Sequence, residues 1–155
     1  IKELVPDAVL RTTLISGFPG DNEEDQKETI EFLKDIEFDH LGVFAYSQEE
    51  GTAAARYKDQ IPEEIKIKRR DELMRLQRKI SYKKKKAHIG EVMEGIVIGK
   101  DKLPDTYLLR SHWNAPDDID GALFFHSDRP LEEGEVVKVR ITDAFPYDLR
   151  GELSD

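Results

Sequence analysis

Apolar positions along the chain change spacing from one stretch to the next, and the changes divide it into elements. Residues 8–16 are rich in β-branched and apolar types and read as a strand. Gly17-Phe18-Pro19-Gly20 breaks it. Asp21 then stands as a helix cap, with Glu24 where the reciprocal acceptor of a capping box belongs. Glu23, Glu24 and Asp25 crowd the first turn, where the helix dipole favours negative charge. Ile30, Leu33 and Ile36 line the inner face of this helix, and residues 41–46 form a second strand. Strand, helix, strand within about forty residues implies two parallel strands joined by a right-handed crossover. Both strands are near-continuous apolar runs, which fits a sheet covered on both faces.

Residues 61–89 predict one long helix. Pro62 suits its first turn, Glu63 and Glu64 complement the dipole, and Ile65, Leu73, Leu76 and Ile80 recur at helical spacing. Gly90 stops it. The pattern then turns to short β-runs at 91–98, 106–111, 122–126, 136–141 and 149–153, separated by Gly-, Pro- and Asp-rich turns. Five short strands so spaced predict a small closed antiparallel β-barrel similar in design to an OB-fold. The fold class is therefore α/β plus all-β, with boundaries at 1–60, 61–89 and 90–155. Two parallel strands do not make a viable sheet alone. The start at Ile1 therefore leads us to expect further strands of the same sheet N-terminal to it; a small α+β domain with an unusual start is the alternative.

Charge supports three pieces. Residues 1–60 carry 6 basic and 14 acidic side chains, residues 61–86 carry 11 and 4, and residues 87–155 carry 7 and 15. The net values are −8, +7 and −8, for a total of −9. The absence of cysteine excludes disulfides, thiolate catalysis and any iron–sulfur cluster ligated from within this chain. His40, His88, His112 and His126 show no metal-ligand spacing. No apolar run approaches the ~20 residues that span a bilayer, and no signal-peptide plan opens the chain. We therefore expect a cytoplasmic protein with no membrane partner. Lys83, Lys84, Lys85 and Lys86 read either as a solvated face compensating the helix dipole or as a phosphate-contacting patch.

Ligands of a parallel sheet bind beyond the carboxyl ends of its strands. The first strand ends at Gly17-Phe18-Pro19-Gly20-Asp21 and the second at Tyr46-Ser47-Gln48-Glu49-Glu50-Gly51-Thr52, so a right-handed crossover puts both loops on one rim. Glycine permits close backbone approach and positive φ. Amides near the helix start could receive a carboxylate or other polar group, or the glycines and proline could simply make a tight turn.

The run Arg11-Thr12-Thr13-Leu14-Ile15-Ser16-Gly17-Phe18-Pro19-Gly20-Asp21 resembles a late barrel strand of the radical-SAM methylthiotransferases. So does Phe44-Ala45-Tyr46-Ser47-Gln48-Glu49-Glu50-Gly51-Thr52-Ala53-Ala54, and Ile61-Pro62-Glu63-Glu64 follows in the same order. The family has Glu where Asp21 stands. The resemblance implies the C-terminal part of a partial α/β barrel, a linking helix and a TRAM barrel. It also implies S-adenosylmethionine and two iron–sulfur clusters as cofactors of the parent enzyme. Carried over by resemblance, the cofactor wall is Ile15, Gly17, Phe18, Pro19, Gly20, Tyr46 and Ser47. Ile15 would offer apolar packing or backbone contacts to adenine; Tyr46 would either line the site or fill the barrel core. Family members ligate the reactive cluster through a CxxxCxxC motif and a second cluster through cysteines of an N-terminal domain. A chain without cysteine is thus expected to be inactive alone and to need the missing N-terminal part as its partner.

Within the family, Glu49-Glu50-Gly51-Thr52 resembles the branch that modifies an aspartate of the twelfth small-subunit ribosomal protein. The tRNA-adenosine branch has Arg-Pro-Gly-Thr there. Ala115-Pro116-Asp117-Asp118-Ile119-Asp120-Gly121 resembles the ribosomal branch as well. An acidic terminal barrel repels RNA and complements a basic ribosomal protein, although acidity also serves solubility. The expected docking residues are Trp113, Asp117, Asp118 and Asp120, with Trp113 either an interface anchor or a core residue. tRNA is the less favoured substrate, and a non-enzymatic RNA-binding module is the competing class.

Overall fold

The computed structural model describes residues 1, 3–114 and 121–154. The chain divides into two compact units, Ile1–Ile80 and Ser81–Asp155. The boundary falls inside the long helix.

The first unit holds strand β1 (Arg11–Ser16), helix α1 (Glu23–Ile36), strand β2 (His40–Ala45), a short 3₁₀ turn η1 (Ala54–Arg56) and most of helix α2 (Glu63–Ala87). β1 and β2 pair in parallel, from Arg11↔His40 to Ser16↔Ala45. The cap of α1 lies one residue later than the sequence suggested. Asn22 is extended, and its Oδ1 accepts from the N–H of Glu24 at 2.7 Å and of Asp25 at 3.2 Å. Asp25 returns the bond by accepting from Asn22 N–H at 2.9 Å. Asp21 is already committed to the preceding turn, where its Oδ2 accepts from Phe18 N–H at 3.0 Å. The next polar side chain therefore takes the cap. α1 ends at Glu37, whose left-handed backbone (φ 49°) lets its N–H reach Leu33 O at 3.0 Å.

The core of this unit is Leu33, Leu41, Val43 and Leu73, with Leu14, Ile30, Phe38, Met74 and Leu76 packed against it. Ile36, expected on the inner face of α1, is exposed instead. Both helices pack on the same face of the sheet, the one presenting Leu14, Leu41 and Val43. The expected cover on both faces is thus not what the described residues show. On the opposite face the registered partners Ile15 and Phe44 are 60% and 63% exposed.

The second unit is a closed barrel of β3 (Val92–Lys100), β4 (Thr106–Ser111), β5 (Leu123–His126), β6 (Val136–Ala144) and β7 (Leu149–Ser154). They close in the order β3-β4-β5-β7-β6. Four of the pairings are antiparallel, and β5 with β7 is parallel. The barrel is therefore mixed: β7 lies between β5 and β6 and opposes only its hairpin partner β6. Inward residues alternate along each strand, as in Met93 and Val97, Tyr107 and Leu109, Val137, Val139 and Ile141. At Gly95 and Gly151 a Cβ would lie 2.4 Å from Arg110 O and 2.5 Å from Arg140 O. Glycine there lets neighbouring strands approach as closely as a small barrel needs. Beyond α2, Gly90 (φ 94°) turns the chain, and its N–H bonds Ile141 O at 2.8 Å.

Candidate functional site

The parallel register brings the carboxyl ends of β1 and β2 together. The ladder runs one step past the strands, with Tyr46 N–H donating to Ser16 O at 2.9 Å. The loops that follow meet at once: the Phe18 and Tyr46 rings pack edge-on at 5.3 Å, and Phe18 also meets Tyr57 at 6.2 Å. Gly20 N–H donates to Asp59 O at 3.0 Å, closing the first loop against the segment that follows the second. The glycine–proline turn and the double-glutamate turn therefore share one rim.

Each rim residue has a distinct setting. Gly17 (φ 72°) and Gly20 (φ 96°) adopt backbone that side chains rarely allow. Pro19 is buried, while Phe18 is partly exposed. Ile15 and Phe44 offer an exposed apolar pair just below the rim. Ser47 is exposed, and its hydroxyl donates to Glu49 Oε1 at 2.7 Å. The Tyr46 ring is 8% exposed, and its buried hydroxyl has no hydrogen-bond partner. An unmet buried hydroxyl costs about 1–3 kcal/mol. It is an orphaned polar atom of the kind that a polar ligand satisfies.

Helix α2 holds this rim from behind. Arg69 Nη1 donates to Asp21 O at 3.2 Å, and Gln26 Nε2 reaches Arg69 O at 3.3 Å. Lys66, only 6% exposed, donates from Nζ to Tyr46 O at 3.1 Å. Neither cation stood out in the sequence, because both sit in a helix full of charge. Two surface hollows, one lined by Gln26, Ile30, Ile65 and Arg69, the other by His126, Asp128, Arg129 and Glu152, include none of the rim residues expected to bind cofactor.

Of the residues expected to dock a substrate, only Trp113 is among the described residues. Trp113 is 3% exposed, with Lys85 Nζ 4.9 Å above its ring. It is a packing residue of the barrel unit rather than an exposed anchor. Asp117, Asp118 and Asp120 lie outside the described residues. The lysine run is not one solvated face either. Lys85 is 2% exposed and its Nζ donates to Ser81 Oγ, while Lys86 lies over the Tyr82 ring. His88 pairs with Glu91 at 2.7 Å and His126 with Asp128 at 3.0 Å. Among the described residues no group of three or more His, Asp or Glu could hold a metal ion. No helix among them is long and apolar enough to cross a membrane.

Residues 89–153 match the family model of the TRAM domain. The chain is also similar to ribosomal protein uS12 methylthiotransferases RimO. Identity is 46% over 99% of the chain to that of Desulfitobacterium hafniense (strain Y51), covering 34% of the relative. It is 48% over 96% of the chain to that of Pelotomaculum thermopropionicum, covering 33%. A cyanobacterial relative from Synechococcus is 43% identical over 99% of the chain, again covering 33%. Over nearly its whole length the chain is thus similar to RimO, and residues 89–153 to the TRAM domain. It spans about a third of the length of the curated relatives it matches. Within the RimO-like frame the TRAM match falls on the barrel, and the rim falls on the α/β unit. The chain contains no cysteine and so supplies no thiolate ligand to any cluster.

Proposed function

We propose that this chain is part of a cytoplasmic radical-SAM methylthiotransferase acting on an aspartate of ribosomal protein uS12. It would supply one wall of the S-adenosylmethionine site and the barrel that recruits substrate. The observation that carries the reading is the shared rim, with an apolar pair, an exposed hydroxyl and an orphaned buried hydroxyl at the ends of two parallel strands, in a chain of RimO-like sequence. The donor set fits the cofactor. Ile15 and Phe44 suit a flat apolar ring, and Ser47, the Gly17–Gly20 backbone and the Tyr46 hydroxyl suit polar ends. When bound, S-adenosylmethionine supplies the methyl group and the hydrogen-abstracting power of the reaction.

The chain's own residues bind, orient and shield. The exposed apolar pair excludes water from the face it covers, and the stiff Gly-Pro turn, closed by the Phe18–Asp21 and Gly20–Asp59 bonds, keeps one shape. The clusters do not fit donors of this chain, and no step is assigned to them. Alone, the 155-residue chain therefore catalyses no methylthio transfer. The acidic barrel favours a basic protein over RNA, since like charge repels phosphate. Burial of Lys85 removes one cation from the run that would have contacted phosphate. Asp117, Asp118 and Asp120 remain the docking carboxylates of this reading.

The test uses the full-length, cluster-reconstituted protein with S-adenosylmethionine and a reductant, offering uS12 and tRNA in parallel. Mass spectrometry should find a methylthio group on a uS12 aspartate. Modification of tRNA adenosine with none on uS12 would transfer the chain to the tRNA branch. No S-adenosylmethionine binding at all would remove the enzymatic reading.

A further inference from the structure

We propose that Lys66 is a positioning residue: a buried cation on α2 that clamps the ends of β1 and β2 together and so fixes the shape of the rim. That the rim's ligand is S-adenosylmethionine rests on the reading above; the clamp itself does not.

Lysine is rarely buried without a partner for its charge. Lys66 is 6% exposed, and its ammonium meets three groups. Nζ donates to Tyr46 O at 3.1 Å and to Glu63 Oε2 at 3.1 Å, and it lies 5.2 Å from the Tyr46 ring centroid. This head thus grips the end of β2 through both the backbone and the ring. The rest of the residue grips the end of β1. Lys66 O accepts from Ser16 Oγ at 3.4 Å. Gly17 sits directly on the lysine stem, where a Cβ at Gly17 would be 2.5 Å from Lys66 Cγ and 2.9 Å from its Cβ. Gly17 is therefore glycine for two separate reasons, its positive φ and the stem that occupies its side-chain space. One turn further along α2, Arg69 bonds Asp21 O, extending the hold to the far side of the glycine–proline turn.

A glutamate partner does not by itself explain the lysine. Glu63 is mostly exposed at 66%, and an ion pair with water at one end contributes little to stability. What a cation adds at this place is direction. It ties a carbonyl at the end of one strand to a helix whose backbone already contacts the end of the other. Both loops then keep one relative position, and Tyr46 stays where its hydroxyl is buried.

Lys66→Met keeps an unbranched stem beside Gly17 and deletes the cation; Lys66→Arg restores the charge. Hydrogen exchange in the 155-residue chain reads the clamp without any cofactor. In Lys66→Met, exchange at the Phe18, Gly20 and Tyr46 amides should rise at least tenfold, while the Leu73 to Ile80 amides of α2 change less than twofold. Lys66→Arg should recover most of the rim protection. Rim exchange unchanged in Lys66→Met, or no recovery in Lys66→Arg, would overturn the clamp. A second arm measures S-adenosylmethionine affinity in the full-length, cluster-loaded protein, where Lys66→Met should weaken binding about tenfold and Lys66→Arg much less. Equal affinity in wild type and Lys66→Met would overturn the positioning role. If the wild type binds no S-adenosylmethionine, the cofactor reading fails, and the exchange arm still decides the clamp.

Discussion

In the first unit two strands share a single ladder, and both helices cover the same face of it. Ile15 and Phe44 stay open on the other side. In the second unit five strands close into a ring, so that every strand has two neighbours and no edge is left. The barrel pairs its strands all round and buries its inward apolar residues. The sheet unit leaves both an apolar pair and a buried tyrosine hydroxyl unsatisfied, and these lie at the same rim. The proposed binding surface rests on that incomplete satisfaction. The closed barrel has an exposed apolar pair of its own, the registered partners Ile96 and Val136 on its outside.

The sharpest way to break that comparison is to unfold one unit alone. Leu33 is fully buried in the first core, and Leu33→Ala should cost about 2–5 kcal/mol there. Trp113, the single tryptophan, reports only on the barrel unit. Its fluorescence transition should stay in place while far-UV dichroism shows earlier loss of helix. A tryptophan transition that moves with the mutation would show that the two regions fold as one. Removing the cap of α1 tests the same unit more gently. Asn22→Ala should lower its stability by about 1 kcal/mol in urea titrations.

Replacing the open pair sharpens the contrast from the other side. Ile15→Thr or Phe44→Ser should change stability by no more than about 0.5 kcal/mol, because neither side chain is buried. A larger loss would mean that this face is covered in solution. The smallest effect belongs to the barrel surface. Arg129 Nη2 bonds Glu135 Oε1 at 2.5 Å and holds that carboxyl below its ordinary range. A lowered native value means that the pair stabilises the fold above the ordinary carboxylate pKa. That contribution is lost as pH falls through the native value. In Arg129→Ala the Glu135 carbon resonances should titrate closer to the ordinary range.

Much of the architecture was written in local patterns. The β-branched run before Gly17, the glycine and proline of the turn, the acidic first turn of α1 and the barrel strand at 106–111 lie where the sequence put them. The cap slipped by one residue because Asp21 and Asn22 are equally good caps, and only the turn at Phe18 decides between them. Helix α2 is where pattern reading failed most. Its buried stripe contains Lys66, Gln77 and Lys85 among Leu73 and Ile80, whereas Ile65 is exposed. Lys66 and Gln77 each reach a backbone carbonyl, at Tyr46 and Phe38, and Lys85 covers Trp113. Hydrophobic periodicity scores such residues as surface, because it cannot see that a long aliphatic stem is buried while its polar tip finds a partner.

By itself the sequence determined the element types, the order of the two units, the absence of thiolate ligands and the likeness to RimO. Those depend on local propensity, composition and motif, which act over a few residues at a time. The tertiary structure alone decided which face of the sheet stays open, which strand closes the barrel in parallel, and which cations turn inward to hold the rim. These outcomes depend on partners tens of residues away, such as Ser16 with Lys66 and Leu123 with Leu149. A buried polar group takes its meaning from the partner that folding brings to it.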